Sequence, residues 1–217
     1  MGSSRLIVTI AVVLLAGCAS QSQYIQPDTS KKKNSTPTVN TESGGFVVEK
    51  PVATVWQRLI AGGPKIGFII DNSNSTGRSL QLHYTGDPKD YIDCGRVVAT
   101  VKTAKGERTY DFPAAKPYQQ YQLQQNGKLF LVDRRMNLDV RAQVDLEAPS
   151  QFRTRISMDV QFTAIRDQTV QGGGSKPFGI TDQISFSSAG SATFPNAATK
   201  CRATGKFEQD VLALIKQ

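Results

Sequence analysis

The chain has 217 residues, of which 39% are hydrophobic and 20% charged, and a formal net charge of +8. That size suits one folded domain of ordinary composition with a tether, since domains run about 100–200 residues. The basic residues are dispersed, with Lys31-Lys32-Lys33 the only run of three, which argues against a nucleic-acid surface, and nothing after residue 18 is apolar for the roughly 20 residues that cross a bilayer.

Arg5 precedes the apolar run Leu6–Leu15, and Leu15-Ala16-Gly17-Cys18 closes it. A basic start, a short apolar core and a small-residue cleavage region form a signal-peptide pattern. A cysteine directly after Leu-Ala-Gly resembles a bacterial lipobox. The resemblance implies that residues 1–17 are a lipoprotein signal peptide and that Cys18 becomes an acylated N-terminus. Several acyl chains would then give stable membrane attachment where one is marginal. Ala19 stands where an Asp signals inner-membrane retention in Gram-negative lipoproteins, so the resemblance implies the outer membrane, with the domain facing the periplasm. A plain secretory signal with an incidental cysteine is the alternative, and it leaves export unchanged.

Residues 19–44 are mostly Ser, Gln, Thr, Asn, Lys and Pro. Such a segment buries too little surface to offset its ordering entropy, so residues 18–44 are expected to form a lipidated, disordered tether. Residues 19–44, 26 in all, would span roughly 30 Å r.m.s. as a coil. The run Lys31-Lys32-Lys33 fits weak attraction to anionic headgroups or simple solvation that keeps the tether extended.

With Cys18 acylated, Cys94 and Cys201 remain as an even pair in an oxidising compartment, and a disulfide between them is expected. His83 is the only histidine. A thiol nucleophile would have to use it as base.

The folded part is expected over residues 45–217 as a single α+β domain. Phe46–Glu49 reads as a strand. Lys50-Pro51 turns into a helix whose Val52, Val55, Trp56, Leu59 and Ile60 form one apolar stripe, ended by Gly62-Gly63-Pro64. A hairpin follows: Gly67–Asp71, a polar turn Asn72–Gly77, then Ser79–Tyr84. Leu80, Leu82 and Tyr84 share one face of the second strand, and Gln81 and His83 the other. His83 is therefore expected to face solvent, and no companion ligand stands at metal spacing.

Residues 137–164 carry the clearest period-two signal. Leu138, Val140, Ala142, Val144 and Leu146 alternate with polar residues, as do Ile156, Met158, Val160, Phe162 and Ala164. Across Ala148-Pro149-Ser150 these predict an antiparallel hairpin with one wet face. Strands over Val97–Val101, Gln119–Leu123, Leu129–Met136 and Gln183–Phe194 complete the sheet. Gly172–Lys176 lacks the Gly-Lys-Ser/Thr ending of a phosphate loop and reads as a flexible connector. A final helix is capped by Thr204 and shows an apolar stripe of Phe207, Val211, Leu214 and Ile215.

This order predicts a curved antiparallel sheet gripping a C-terminal helix, and it is similar to the helix-grip, or START-like, superfamily. Phe46–Leu59 looks like the opening strand and helix of that fold. Trp56–Leu59, Ile66–Asp71 and Thr76–Tyr84 also resemble the helix-grip repeats of lipoprotein C of the β-barrel assembly machine. The resemblance implies fold more than activity.

Neither a catalytic nor a metal site is expected: the lone histidine sits on a wet strand face, and Asp87, Asp90 and Asp93 fit an ordinary surface turn. No cofactor is implied. Two readings follow. One is a non-catalytic envelope accessory that meets a protein partner through a sheet edge or the groove beside the C-terminal helix. The other is a module that holds an apolar ligand between helix and sheet, which needs a pocket of about 300 Å³ or more. Phe68, Tyr84, Phe130, Phe162, Phe186 and Phe207 are bulky enough to fill that space.

Overall fold

A computed structural model describes residues 22–27, 45–195 and 198–216. In chain order it contains β1 (Ser22–Ile25), β2 (Phe46–Val48), α1 (Val52–Gly62), β3 (Ile69–Asn74), β4 (Ser79–Gly86), β5 (Ile92–Asp93), β6 (Arg96–Thr103), β7 (Gly106–Pro113), β8 (Tyr118–Gln125), β9 (Lys128–Ser150), β10 (Arg153–Gly172), β11 (Ser175–Ser187), β12 (Ser191–Thr193), β13 (Lys200–Ala203) and α2 (Lys206–Lys216). The fold is α+β, with antiparallel strands in three sheets and two helices. Among the described residues, no helix is long and apolar enough to cross a membrane.

The scaffold is the β9–β10 hairpin, paired from Ser150↔Arg153 back to Phe130↔Gly172. Along the free side of β9, β8 pairs with Lys128–Arg135 and β4 with Leu138–Asp145. Along the free side of β10, β2 pairs with Thr154–Ile156 and β11 with Gln161–Gly172. Four partners thus share two long strands. The side-chain period of two keeps one face apolar over the whole length.

One end of that face carries the main core. Tyr84, Val140, Phe162 and Phe186 stand in one row across the sheet, with Leu82, Ala142 and Val160 in the next. The helices cover these rows. The Phe207 ring of α2 stacks on Phe68 with centroids 4.7 Å apart and meets Phe162 edge-on at 6.4 Å. Val55 and Leu59 of α1 and Val211, Leu212 and Ile215 of α2 are buried with them. Arg58 ties the helices together by donating from Nη1 to the carbonyl of Ile215 at 2.6 Å, which satisfies one orphan acceptor of the α2 end.

The other end carries a second core of Ala99, Phe112, Tyr121 and Val132. Here the β6–β7 hairpin lies over β8 and β9. Tyr110 and Phe112 both pack on the Tyr121 ring.

Several elements depart from the sequence reading. β9 is one strand of 23 residues, where two were expected, because its buried phase runs unbroken through Val132, Met136, Leu138 and Val140. The β9–β10 turn falls at Gln151-Phe152, beyond Ala148-Pro149-Ser150. The register shifts beside it, between Arg153 and Arg155, and such irregular pairing tolerates a proline. Gly172–Lys176 is part of a tight hairpin, with Gly172 paired to Ser175 around Gly173-Gly174. β11 therefore begins at Ser175 and ends at Ser187, and Phe194 packs as a buried ring outside any strand. β7 was not expected: its alternation is between charged and polar residues, with Phe112 its only buried side chain. Within the expected tether, Ser22–Ile25 is ordered as β1 on the edge of β6.

Candidate functional site

Cys94 follows β5, Cys201 lies in β13, and the pairing of these strands through Arg202↔Asp93 brings the two cysteines together. They form a disulfide across a separation of 107 residues, and both are fully buried. This is the one site expectation on which the structure has residues to show. Cys18, with the expected signal peptide of residues 1–17, lies outside the described residues, as do residues 19–21 and 28–44 of the expected tether.

β1 is fastened to this joint. The Tyr24 hydroxyl lies 2.9 Å from the carbonyl oxygens of both Cys94 and Lys200, which share its one proton, and it accepts from the Lys200 amide at 2.8 Å. Burial raises the Tyr24 phenol above its usual value of 10.0, the Lys200 backbone bond opposes this, and Asp93 adds to it. Gly95, next to the disulfide, has φ +73°, and a Cβ there would stand 2.1 Å from the Ile25 carbonyl oxygen. Both the left-handed backbone and the close strand favour glycine. Asp93 accepts from the Gly95 amide at 2.9 Å and faces Arg202 at 3.5 Å.

Beside the joint runs a surface groove of about 590 Å³, walled by Ile25, Pro27, Ile92 and Ala115 with Lys89 and Arg202 among its polar groups. A second groove of about 430 Å³ shares Lys89 and Pro113 with it and continues past Tyr110 and Phe112.

Asp87, Asp90 and Asp93 take separate structural tasks. The Asp87 carboxylate accepts from the Lys89 amide at 2.9 Å, starting a short 3-10 turn, and the Asp90 carbonyl accepts from the Thr204 hydroxyl at 2.7 Å. That hydroxyl also accepts from the Lys206 amide at 3.2 Å at the start of α2. Among the described residues, no group of three or more His, Cys, Asp or Glu is placed to hold a metal ion.

His83 is on the polar face of β4, as its strand phase dictates, but it is half-buried. Its Nε2 lies 2.7 Å from Asp139 and 3.0 Å from the Thr85 hydroxyl, and Nδ1 is 3.6 Å from Asp71. A nitrogen that donates to an ionised Asp139 has no lone pair with which to take the Thr85 proton. Arg141 joins the cluster through ion pairs to Asp139 and Asp71.

Three charged residues between the two cores were missed. Arg166 pairs with Asp182, and its guanidinium lies 4.4 Å over the Phe194 ring. Arg134, only 2% exposed, donates from Nη2 to the Ala114 carbonyl, while Nη1 has no hydrogen-bond partner among the described residues. Burial draws the Arg134 guanidinium down to about 10, with Arg166 adding like-charge repulsion. The signal was present: Arg134 and Arg166 stand in the inward phase of their strands, where an alternating pattern demands apolar residues. Tyr24 was missed because two apolar residues in a polar segment carry no period.

No family model, no curated protein and no solved structure matches the chain.

Proposed function

We propose that this chain is a non-catalytic lipoprotein of the bacterial cell envelope, anchored through acylated Cys18. It serves as an accessory or assembly subunit of a membrane-associated complex. The observation that carries the export part of this reading is the buried Cys94–Cys201 disulfide, which suits an oxidising compartment. The leader and the Leu-Ala-Gly-Cys sequence supply the anchor, and an outer-membrane address follows from Ala19.

The helix-grip reading makes α2 the gripped helix. Its support is Phe207, whose ring is fully buried between Phe68 of the chain after α1 and Phe162 of β10. Those rings occupy the space where a helix-grip carrier would hold its ligand, and this favours the accessory over the carrier. The groove of about 590 Å³ beside the disulfide is the observation that keeps an apolar-ligand module as the second reading. It lies at the surface, away from the α2 contact with the sheet.

The test is recovery of the native acylated protein from membranes, with Cys18→Ala as control. Co-purification of a defined set of envelope proteins with the wild type, reduced in the control, supports the accessory. Lipid recovered in stoichiometric amount without protein supports the carrier and rejects the accessory.

A further inference from the structure

β1 changes what the lipid anchor can do. Only residues 19–21 separate Cys18 from Ser22, and a fully extended chain over that interval reaches about 14 Å. β1 runs antiparallel to β6, with Ser22 opposite Ala99 and Ile25 opposite Arg96. β1 therefore starts opposite the middle of β6, and its Ser22 end is the one nearer the Thr103–Gly106 turn.

Two other turns share that end of the molecule. Asn126-Gly127 closes β8–β9, and Gly173-Gly174 closes β10–β11, with the Gly173 amide donating to the Leu129 carbonyl at 3.2 Å. The β6–β7 hairpin follows the same direction. β7 ends at Pro113, near where β8 begins, and Tyr110 farther back reaches Gln122 farther along β8 at 3.3 Å.

The composition of this end is lopsided. Residues 102–108, 125–129 and 172–178 hold Lys102, Lys105, Arg108, Lys128 and Lys176 against a single acid, Glu107. Leu129 and Phe178 are 39% and 49% exposed among them. Basic side chains beside exposed apolar ones match the headgroup and acyl layers of an anionic leaflet.

We propose that this three-turn end lies directly on the anionic leaflet that holds the acyl chains, with Lys105, Lys128 and Lys176 against lipid phosphates, while Lys102 pairs with Glu107 at 3.2 Å. The inference rests on acylation of Cys18. The long hairpin then stands away from the bilayer, and the Gln151-Phe152 turn is its far end. At about 3.3 Å per residue, the 23 residues of β9 place Phe152 more than about 75 Å along the strand from the leaflet.

The test uses the full acylated protein in vesicles of phosphatidylethanolamine and phosphatidylglycerol containing a headgroup nitroxide lipid. Mass analysis of the N-terminal peptide first establishes the acyl chains. A fluorophore is placed by Lys105→Cys in one sample and by Phe152→Cys in another. Quenching at position 105 is expected to exceed that at 152 by at least about threefold, and to fall by half or more in pure phosphatidylcholine, since surface attraction needs anionic lipid. A Lys128→Glu, Lys176→Glu pair is expected to lower it similarly. Acylated protein with equal quenching at both positions, or with quenching indifferent to lipid charge, overturns the proposal while leaving the lipoprotein reading intact. An unmodified Cys18 overturns the lipoprotein reading and this proposal with it.

Discussion

The Tyr24 hydroxyl lies 2.9 Å from the carbonyl oxygen of Cys94, 70 residues along the chain, and at the same distance from that of Lys200. These contacts fasten an N-terminal strand to the backbone on both sides of the disulfide, so β1 and the disulfide joint meet at one place. Tyr24→Phe keeps the ring and removes both the bond the hydroxyl donates and the one it accepts from the Lys200 amide. It is expected to loosen β1 by about 2 kcal/mol, the net worth of two hydrogen bonds. Hydrogen exchange at residues 22–25 should speed up roughly thirtyfold, with the α2 amides unchanged.

Gly95→Ala attacks the same strand sterically. The new Cβ would stand 2.1 Å from the Ile25 carbonyl oxygen, with φ at +73°. The left-handed backbone alone costs about 1–2 kcal/mol, and β1 must move to make room. Chymotrypsin is expected to cut after Tyr24 in this variant while circular dichroism retains the sheet signal. Full resistance to cleavage would mean that β1 does not lie against Gly95.

The disulfide closes a long loop. With a sequence separation of 107, the chain-entropy model assigns it about 4–5 kcal/mol. Cys94→Ala with Cys201→Ala should lower the urea midpoint accordingly. Both cysteines are buried, so native protein should resist labelling and mild reduction alike.

What the sequence discloses about this fold is uneven for physical reasons. Leu138–Leu146 and Ile156–Ala164 lie at the centre of a sheet with one wet face, where alternation is strongest, and their pairing was readable. So were the stripes of α1 and α2, because each helix buries one face. β7 and β11 are edge strands, and edges carry polar residues on both faces. Their extents were hidden, although Asn126-Gly127 and Gly173-Gly174 hold the dipeptides of tight hairpins. The disulfide followed from counting cysteines. The docking of Tyr24 did not, since its partners are main-chain atoms near Cys94 and Lys200, which no local pattern reveals.

Arg134 and Arg166 are both buried on the inner face, yet their removal should differ greatly in cost. Arg166→Met strands Asp182 as an uncompensated buried carboxylate and is expected to cost about 3–5 kcal/mol. Arg134→Met removes a guanidinium that has no carboxylate partner at hydrogen-bond distance and is repelled by Arg166. Its loss leaves the Ala114 carbonyl without that donor, a cost of about 1–3 kcal/mol, but also abolishes the desolvation of a charge. The two effects nearly cancel, so the Arg134 variant should unfold within about 1 kcal/mol of the wild type. Urea midpoints of the two variants, compared at one pH, decide the matter. Equal losses would show that Arg134 is as well compensated as Arg166.

Alkaline pH should weaken the main core through Tyr91. This phenol is buried against Phe207 and Tyr84 and donates to Asp210 at 3.1 Å. Burial, then the charge of Asp210, raises it well above its usual value of 10.0. Over the interval from 10.0 up to the raised value, the folded state holds a proton that the unfolded chain has released. Stability from this group is therefore complete below about pH 10 and declines as pH rises further. Tyr91→Phe gives up the Asp210 bond, about 1 kcal/mol at neutral pH, but its unfolding free energy should fall less steeply than the wild type's above pH 10. Urea titrations on both sides of that pH measure the two slopes. Parallel curves would assign the alkaline loss to the other raised phenols, Tyr24, Tyr84, Tyr118 and Tyr121.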